Sequence, residues 1–315
     1  MRWARESPVG VLGGGSFGRA IAKTSARIGR HVVLWSRSRT VDDPNVTMAS
    51  AMKELAACEP IFIAVPSGHV ASAARLIGAE IDGRHLLVHV SRGLYGDELE
   101  PITHILRRET PARRVGALAG PLVADALAEG RPAGGIVGTR FGEVAQAVRD
   151  AIAGPTLRVY ETTDVIGVEL ASAMVGVLSL AGGFVQGLGM GPSALSVMVA
   201  RGLSEWTRLG KTMGADERTF SGLAGIGDLV AAVAGDDRPE IRLGRALARG
   251  ASLLQAGREA GAHIEAITVA RSVRAHGLRA GIATPVSAAI ADVIDGKATP
   301  DEAVRTLMAG EPTME

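Results

Sequence analysis

The sequence predicts an α/β fold whose first half is a parallel sheet with crossover helices and whose second half is entirely helical. Two patterns carry that expectation. Up to about Asp164, short β-branched apolar runs alternate with helical stretches; beyond it, glycine- and alanine-rich helical segments follow one another with no convincing strand through to Glu315. A third observation is a glycine-rich turn that directly follows the first apolar run and opens a helix.

Taken in order, Val9-Gly10-Val11-Leu12 reads as the first strand and 16–28 as the helix after it. His31-Val32-Val33-Leu34-Trp35 is the second strand, 48–57 a short helix, and 60–66 a strand closed by Pro66. Further strands are expected at 85–90, 115–119, 135–138 and near 157–160. The stretch 235–239, with Asp236, Asp237 and Arg238, reads as a loop between helices. The change of character near 162–165 divides the chain into an α/β domain over 1–163 and an all-helical domain over 164–315.

Composition narrows the function classes. With 315 residues, net charge +1, 47% hydrophobic and 21% charged residues, the chain has the profile of a soluble globular protein large enough for two domains. Cys58 is the lone cysteine, so no internal disulfide and no multi-cysteine zinc site can form, and a reducing cytoplasm fits best. No metal site is expected. The first ten residues lack the pattern of a signal peptide, and no apolar stretch reads as long and charge-free enough to span a bilayer. A near balance of 34 basic and 33 acidic residues, with 3% aromatics, gives no case for nucleic acid. The expected partner is a small molecule. Only four basic residues are lysines, Lys23, Lys53, Lys211 and Lys297, and arginine is a poor substitute where a side chain must give and take a proton.

The glycine turn is Gly13-Gly14-Gly15-Ser16-Phe17-Gly18. In G-x-G-x-x-G, Gly13 allows the tight turn, Gly15 lets the backbone approach a pyrophosphate, and Gly18 lets helix pack on strand. The helix start at Ser16 and Phe17 offers free N–H groups and partial positive charge to phosphates. This makes the first domain Rossmann-like; the alternative is a glycine-rich turn without a ligand. Where an acidic residue would hold ribose hydroxyls, the second strand runs into Ser36-Arg37-Ser38-Arg39. Ser36 and Arg37, with the second arginine, favour a 2′-phosphate and hence NADP, with NAD or a solvated basic loop as alternatives. Ala64-Val65-Pro66-Ser67 lies at a strand's C-terminal end, and Pro66 is expected along the cofactor.

These stretches, with Ser91-Arg92-Gly93-Leu94, Ala119-Gly120-Pro121, Val165-Ile166-Gly167-Val168-Glu169-Leu170, Arg201-Gly202-Leu203-Ser204-Glu205 and Gly222-Leu223-Ala224-Gly225-Ile226-Gly227-Asp228-Leu229-Val230, resemble the bacterial NAD(P)-dependent glycerol-3-phosphate dehydrogenases. Order and spacing hold over nearly the whole chain. The resemblance implies hydride exchange between a nicotinamide and the central carbon of dihydroxyacetone phosphate, in a cleft between a Rossmann domain and a helical domain. It implies Asp228 and Arg92 in the catalytic cleft, Arg92, Ala124 and Glu265 among the cofactor contacts, and a homodimer. Small residues from Gly182 to Gly191 permit close helix packing.

The chain departs from the family pattern at the chemistry. The family's proton-donating lysine and following asparagine align with Val175-Gly176, and an apolar side chain neither donates a proton nor stabilises an oxyanion. Thr-Lys-Gly reads Ser91-Arg92-Gly93, and the serine of Gly-Pro-Ser is Leu122. The phosphate-holding Ser-Arg-Asn-Arg-Arg aligns with Arg238-Pro239-Glu240-Ile241-Arg242, where a carboxylate would repel a dianion unless Arg238 or Arg242 compensates. Asp228 is left as a base, an orienter or a structural cap. His69 and His263 are candidate proton donors, while His89 reads as core. Three readings follow: an oxidoreductase whose pocket, made apolar by Leu122, Val175 and Pro239, takes a less charged carbonyl or imine; a cofactor-binding or interaction module without chemistry; and a working glycerol-3-phosphate dehydrogenase that uses Arg92 and displaced groups.

Overall fold

The computed structural model describes residues 7–37, 41–235, 238–261 and 263–309. An eight-stranded sheet occupies the first half: β1 (Val9–Leu12), β2 (Val32–Trp35), β3 (Val46–Met48), β4 (Ile61–Ile63), β5 (Leu86–His89), β6 (Arg114–Ala119), β7 (Ala133–Thr139) and β8 (Leu157–Thr162). The order is β3-β2-β1-β4-β5-β6-β7-β8, all neighbours parallel except the antiparallel β6–β7 pair. The helices between strands are α1 (Ser16–Arg27), α2 (Ser67–Gly78), α3 (Ile102–Glu109), α4 (Ala124–Glu129) and α5 (Gly142–Ile152). The chain order reverses direction between β1 and β4, which in open α/β sheets opens the ligand crevice beyond their C-terminal ends.

The strands form because both faces are covered, which favours unbroken apolar runs. One face packs Val9, Val11 and Phe62 against Ile21 of α1 and Val144 of α5; the other packs Leu12, Ile61 and Ile63 against Val70 of α2 and Leu106 of α3. Two details correct the sequence reading. The expected helix over 48–57 is a 3₁₀ turn, Met52–Ala57, and Met48 instead ends β3, a short edge strand whose Val46 is its one buried residue. Asp236 and Asp237 of the expected loop lie outside the described residues, while Pro239 already belongs to a helix.

The second half is α6 (Val165–Gly187), α7 (Gly191–Thr212), α8 (Glu217–Phe220), α9 (Asp228–Ala234), α10 (Pro239–Ala248), α11 (Leu253–Ala260), α12 (Glu265–Ala280), α13 (Pro285–Ile294) and α14 (Pro300–Ala309). No strand occurs there among the described residues. The central helix α6 starts at Asp164, whose carboxylate accepts from the N–H of Gly167 at 2.9 Å, from the N–H of Asp216 at 3.0 Å and from the Thr219 hydroxyl at 2.6 Å. Such a cap satisfies free donors of the first turn.

By length and composition α6 does qualify as a membrane span, with 23 residues and mean hydropathy 1.9, which corrects the expectation that no stretch would. Its surroundings explain the composition: 89% of that window is buried against other helices and the sheet, so the helix is apolar all round because it has no solvent face. Its small residues serve contacts within the chain. A Cβ on Gly183 would lie 2.8 Å from the Gly244 Cα of α10, and one on Gly187 2.6 Å from the Ala248 Cβ.

That close approach is testable. Gly183→Val should destabilise the fold by about 1–3 kcal/mol or more through overpacking. Gly257→Ala, in α11 where an added Cβ meets nothing within 4 Å, should stabilise by about 0.5–1 kcal/mol. Thermal denaturation followed by circular dichroism checks both.

Candidate active site

The glycine turn is built by close approach. Gly13 has φ +117°, and a Cβ there would strike the Ala64 carbonyl; a Cβ on Gly18 would strike the Gly13 carbonyl. Gly15 is different, because a Cβ there meets nothing within 4 Å. Gly13 and Gly18 are thus required by packing, whereas Gly15 leaves its backbone bare on the outside of the turn. Helix α1 has no side-chain cap and no acidic residue in its first turn, so the N–H groups around the exposed Ser16 and half-buried Phe17 remain open to an anion. These residues fit a dinucleotide pyrophosphate. Gly13 donates its N–H to the Trp35 carbonyl at 2.9 Å, which brings half-buried Ser36 and exposed Arg37 to the same sheet edge. Ser38 and Arg39 lie outside the described residues.

The C-terminal ends of β4 and β5 continue that edge. The Ser91 hydroxyl donates to the Val65 carbonyl at 2.8 Å, locking the two loops together beside Pro66. Glu265, the first residue of α12, reaches across from the helical half. Its carboxylate accepts the N–H of Arg92 at 2.9 Å and the N–H of Ser67. Gly93 is the residue that permits this, since a Cβ there would collide with the Ser67 hydroxyl and stand 3.2 Å from the Glu265 carboxyl carbon. Ala262, immediately before His263, lies outside the described residues.

Asp228 forms the centre of the cleft. It follows a π-helical turn, Leu223–Gly227, and begins α9 with its side chain fully buried. Arg92 donates through Nη1 to Oδ2 at 2.5 Å and through Nη2 to Oδ1 at 3.5 Å. From the other side Arg238, at the N-terminus of α10, donates through Nη2 to Oδ1 and, at 3.5 Å, to the Asp228 carbonyl. The carboxylate therefore goes to guanidinium groups rather than to backbone amides, which corrects the cap reading: Gly227 holds the cap position of α9. Burial alone would lower the Arg92 pKa, but Asp228 and then Glu240 outweigh it and hold the group above the usual guanidinium value. For Arg238, burial and then the Arg92 charge prevail over Asp228, and its pKa is held low.

Other sequence candidates sit elsewhere. Leu122 is in the sheet core against Gly135, and Val175 is fully buried among the helices, so neither offers an open surface to a substrate, contrary to the pocket lining expected of them. Both are apolar side chains claimed by neighbouring apolar cores. Beside Gly176 there is room, since an added Cβ meets only the Ala266 Cβ at 3.6 Å. Ala124 opens α4 and packs on the sheet core. Arg242 donates to the Ala260 carbonyl at 2.6 Å rather than to Asp228. His69 and His263 are exposed, as are Lys53, Lys211 and Lys297, with Lys23 half-buried on α1. Burial pushes the Cys58 thiol up to about 12, which leaves it unreactive.

Two carboxylates of the quoted motifs prove to be ties between elements. Glu205 accepts the N–H groups of Val286 at 2.6 Å and Ser287 at 3.0 Å at the start of α13, and burial raises its pKa. Glu169 is buried with His89: Nε2 of His89 lies 3.0 Å from Oε1, and Thr103 donates from its N–H at 3.0 Å and its hydroxyl at 2.6 Å. Burial would raise the Glu169 pKa, yet the bonds from His89 and Thr103 hold it below the usual 4.5. His89 is core, and the local sequence carries no sign of its partner 80 residues away. Arg238 is the site residue that the sequence reading treated only as a possible compensation.

Comparison with known proteins follows this geometry. A family model described as NAD-dependent glycerol-3-phosphate dehydrogenase N-terminus matches residues 8–44 and 41–144, and one described as the C-terminus of the same protein matches 164–305. Over 334 residues the chain is 33% identical to a glycerol-3-phosphate dehydrogenase (NAD(P)+) of Paracidovorax citrulli, covering 97% of this chain and 98% of that protein. Over 331 residues it is 30% identical to the one from Pseudomonas fluorescens, covering 99% and 93%. The crystal structure of glycerol-3-phosphate dehydrogenase from Coxiella burnetii superposes with TM-score 0.92 at 25% identity, covering 98% of this chain and all of that one.

The Glu169 tie gives a pH prediction. A carboxylate whose folded pKa is depressed contributes stability above its unfolded pKa and loses it as pH falls through the folded value. Glu169→Gln should therefore cost about 1–3 kcal/mol near neutral pH, and the gap from wild type should close as pH drops from about 5 to about 3. Urea unfolding at a series of pH values measures it; a gap independent of pH contradicts the assignment.

Proposed function

We propose that this chain, which belongs to the NAD-dependent glycerol-3-phosphate dehydrogenase family, is an NAD(P)-dependent oxidoreductase acting on a small carbonyl or alcohol substrate other than dihydroxyacetone phosphate. The observation that carries this reading is the Asp228 carboxylate held between Arg92 and Arg238 in a chain whose glycine turn is intact. In this reading residues 1–163 hold the dinucleotide and 164–315 close over the substrate.

Gly13, Gly15 and Gly18 with the N–H groups at Ser16 and Phe17 would hold the pyrophosphate, and Ser36 and Arg37 the 2′-phosphate of NADP. Pro66, Ala124 and Glu265 complete the proposed cofactor contacts. A bound nicotinamide would supply or accept a hydride at the substrate carbon. Arg92, a quarter exposed and fixed by Asp228, would stabilise negative charge on the substrate oxygen without surrendering its own proton, and the proton that completes the alcohol would come from solvent water. With both carboxylate oxygens engaged, Asp228 acts as the orienter of Arg92 rather than as a free base.

The lysine that the resemblance expects in the cleft has no counterpart at Val175. Val175, at the position where the resemblance expects the lysine, is buried in apolar core, and the four lysines lie outside the cleft, Lys211 near Glu217 and Lys297 near Asp295. Pro239 and Glu240 likewise stand where the resemblance expects a phosphate-holding arginine and asparagine. Both features support a changed substrate. They also favour a second reading, a cofactor-binding homologue impaired in catalysis. By the same resemblance the protein is a cytoplasmic homodimer, which sedimentation equilibrium tests for its assembly.

Assays of NADPH oxidation decide among these. Reduction of some carbonyl in a panel, with dihydroxyacetone phosphate poor or inert, is expected; dihydroxyacetone phosphate as the best substrate would overturn the reading, and no reduction of any carbonyl favours the impaired homologue. Gly15→Val should weaken NADPH binding by about tenfold or more while leaving the melting temperature near wild type, since the side chain enters open space. Arg37→Ala should erase most of the preference for NADPH over NADH in fluorescence titrations.

A further inference from the structure

We propose that Arg238 is a specificity-determining residue which, with Arg92, seats a single carboxylate of the substrate, so that the substrate is an oxo acid or hydroxy acid rather than a phosphate ester. This rests on the oxidoreductase reading and names the substrate class of the same cleft.

The two guanidinium groups converge on one buried carboxylate from opposite sides, Arg92 from the loop after β5 and Arg238 from the start of α10. Neither is exhausted by it. Each guanidinium carries five N–H donors, and Asp228 takes Nη1 and Nη2 of Arg92 and Nη2 alone of Arg238. Arg92 keeps 26% of its side chain exposed and Arg238 10%, while Asp228 keeps none, so the accessible part of the cluster belongs to the two arginines. A planar carboxylate matches a guanidinium edge bidentately.

Charge sets the limit on the ligand. Arg92 and Arg238 bring two positive charges, and the negative charges felt at Arg92 are those of Asp228, Glu240 and Glu265. Glu240 also acts on Arg238. The cluster holds no surplus of positive charge for a phosphate dianion, and Glu240 in the first turn of α10 opposes one directly. A carboxylate carries half the charge of a phosphate dianion and so meets half that repulsion, and what binds it is the N–H donors that Asp228 leaves free on the two guanidinium groups. Pro239 has no donor, so Arg238 is the residue of its segment that reaches Asp228.

The test titrates the full-length protein, with and without saturating NADPH, by calorimetry. Oxamate serves as a planar monoanionic probe and glycerol 3-phosphate as the dianion. Tighter binding of oxamate is expected, falling about tenfold or more in Arg238→Gln and partly recovered in Arg238→Lys; Glu240→Gln is expected to raise the affinity for glycerol 3-phosphate. Tighter binding of glycerol 3-phosphate, or oxamate affinity indifferent to Arg238→Gln in a protein that melts normally, overturns the proposal. Should Arg238→Gln fail to fold, Arg238→Lys decides, because equal oxamate affinity to wild type overturns it and a loss supports it. Failure of the oxidoreductase reading is seen separately, as oxamate binding that depends on Arg238 in a protein that reduces no carbonyl.

Discussion

The buried Asp228 carboxylate is the interaction on which the cleft depends. A carboxylate removed from water is tolerated only with close, well-directed partners, and its partners here come from opposite halves of the chain: Arg92 from the sheet edge and Arg238 from α10. Glu265 repeats the arrangement a short way off, a carboxylate from α12 on the backbone N–H groups of Ser67 and Arg92. Arg92 is thus held twice, by its backbone and by its side chain. That double hold gives a guanidinium a fixed direction, which a long flexible side chain does not have by itself.

Around this centre stand two other closely packed regions, the glycine turn and the helical core. The turn from Gly13 to Gly18 keeps its close contacts with Ala64 and its open flank at Gly15. Val175 lies within the helical core. Family membership does not by itself fix a substrate.

Much of the fold was legible because parallel strands covered on both faces leave unbroken apolar runs, as in Val9-Gly10-Val11-Leu12 and Ile61-Phe62-Ile63. The edge strand β3 escaped notice because it is three residues long with Thr47 at its middle, and its pairing with β2 is decided by the sheet rather than by its own residues. The glycine turn was readable at Gly13 and Gly18, whose close contacts the structure shows. The ion pairs were not: Asp228 with Arg92 spans 136 residues, and His89 with Glu169 spans 80, so no local pattern announces either. Leu122 and Val175 misled for a related reason. The family resemblance implies what they replaced, but only packing tells that neighbouring cores have taken them in.

The all-round apolar character of α6 has a consequence for how the chain is made. During synthesis α6 leaves the ribosome after the whole sheet and before α7, α10, α12 and α13, the helices that cover it. The sheet can close while its successor is still bare. For the interval needed to translate roughly a hundred further residues, at about 5–20 residues per second, a greasy rod stands without its jacket, and the nascent protein is at its most dependent on chaperones then.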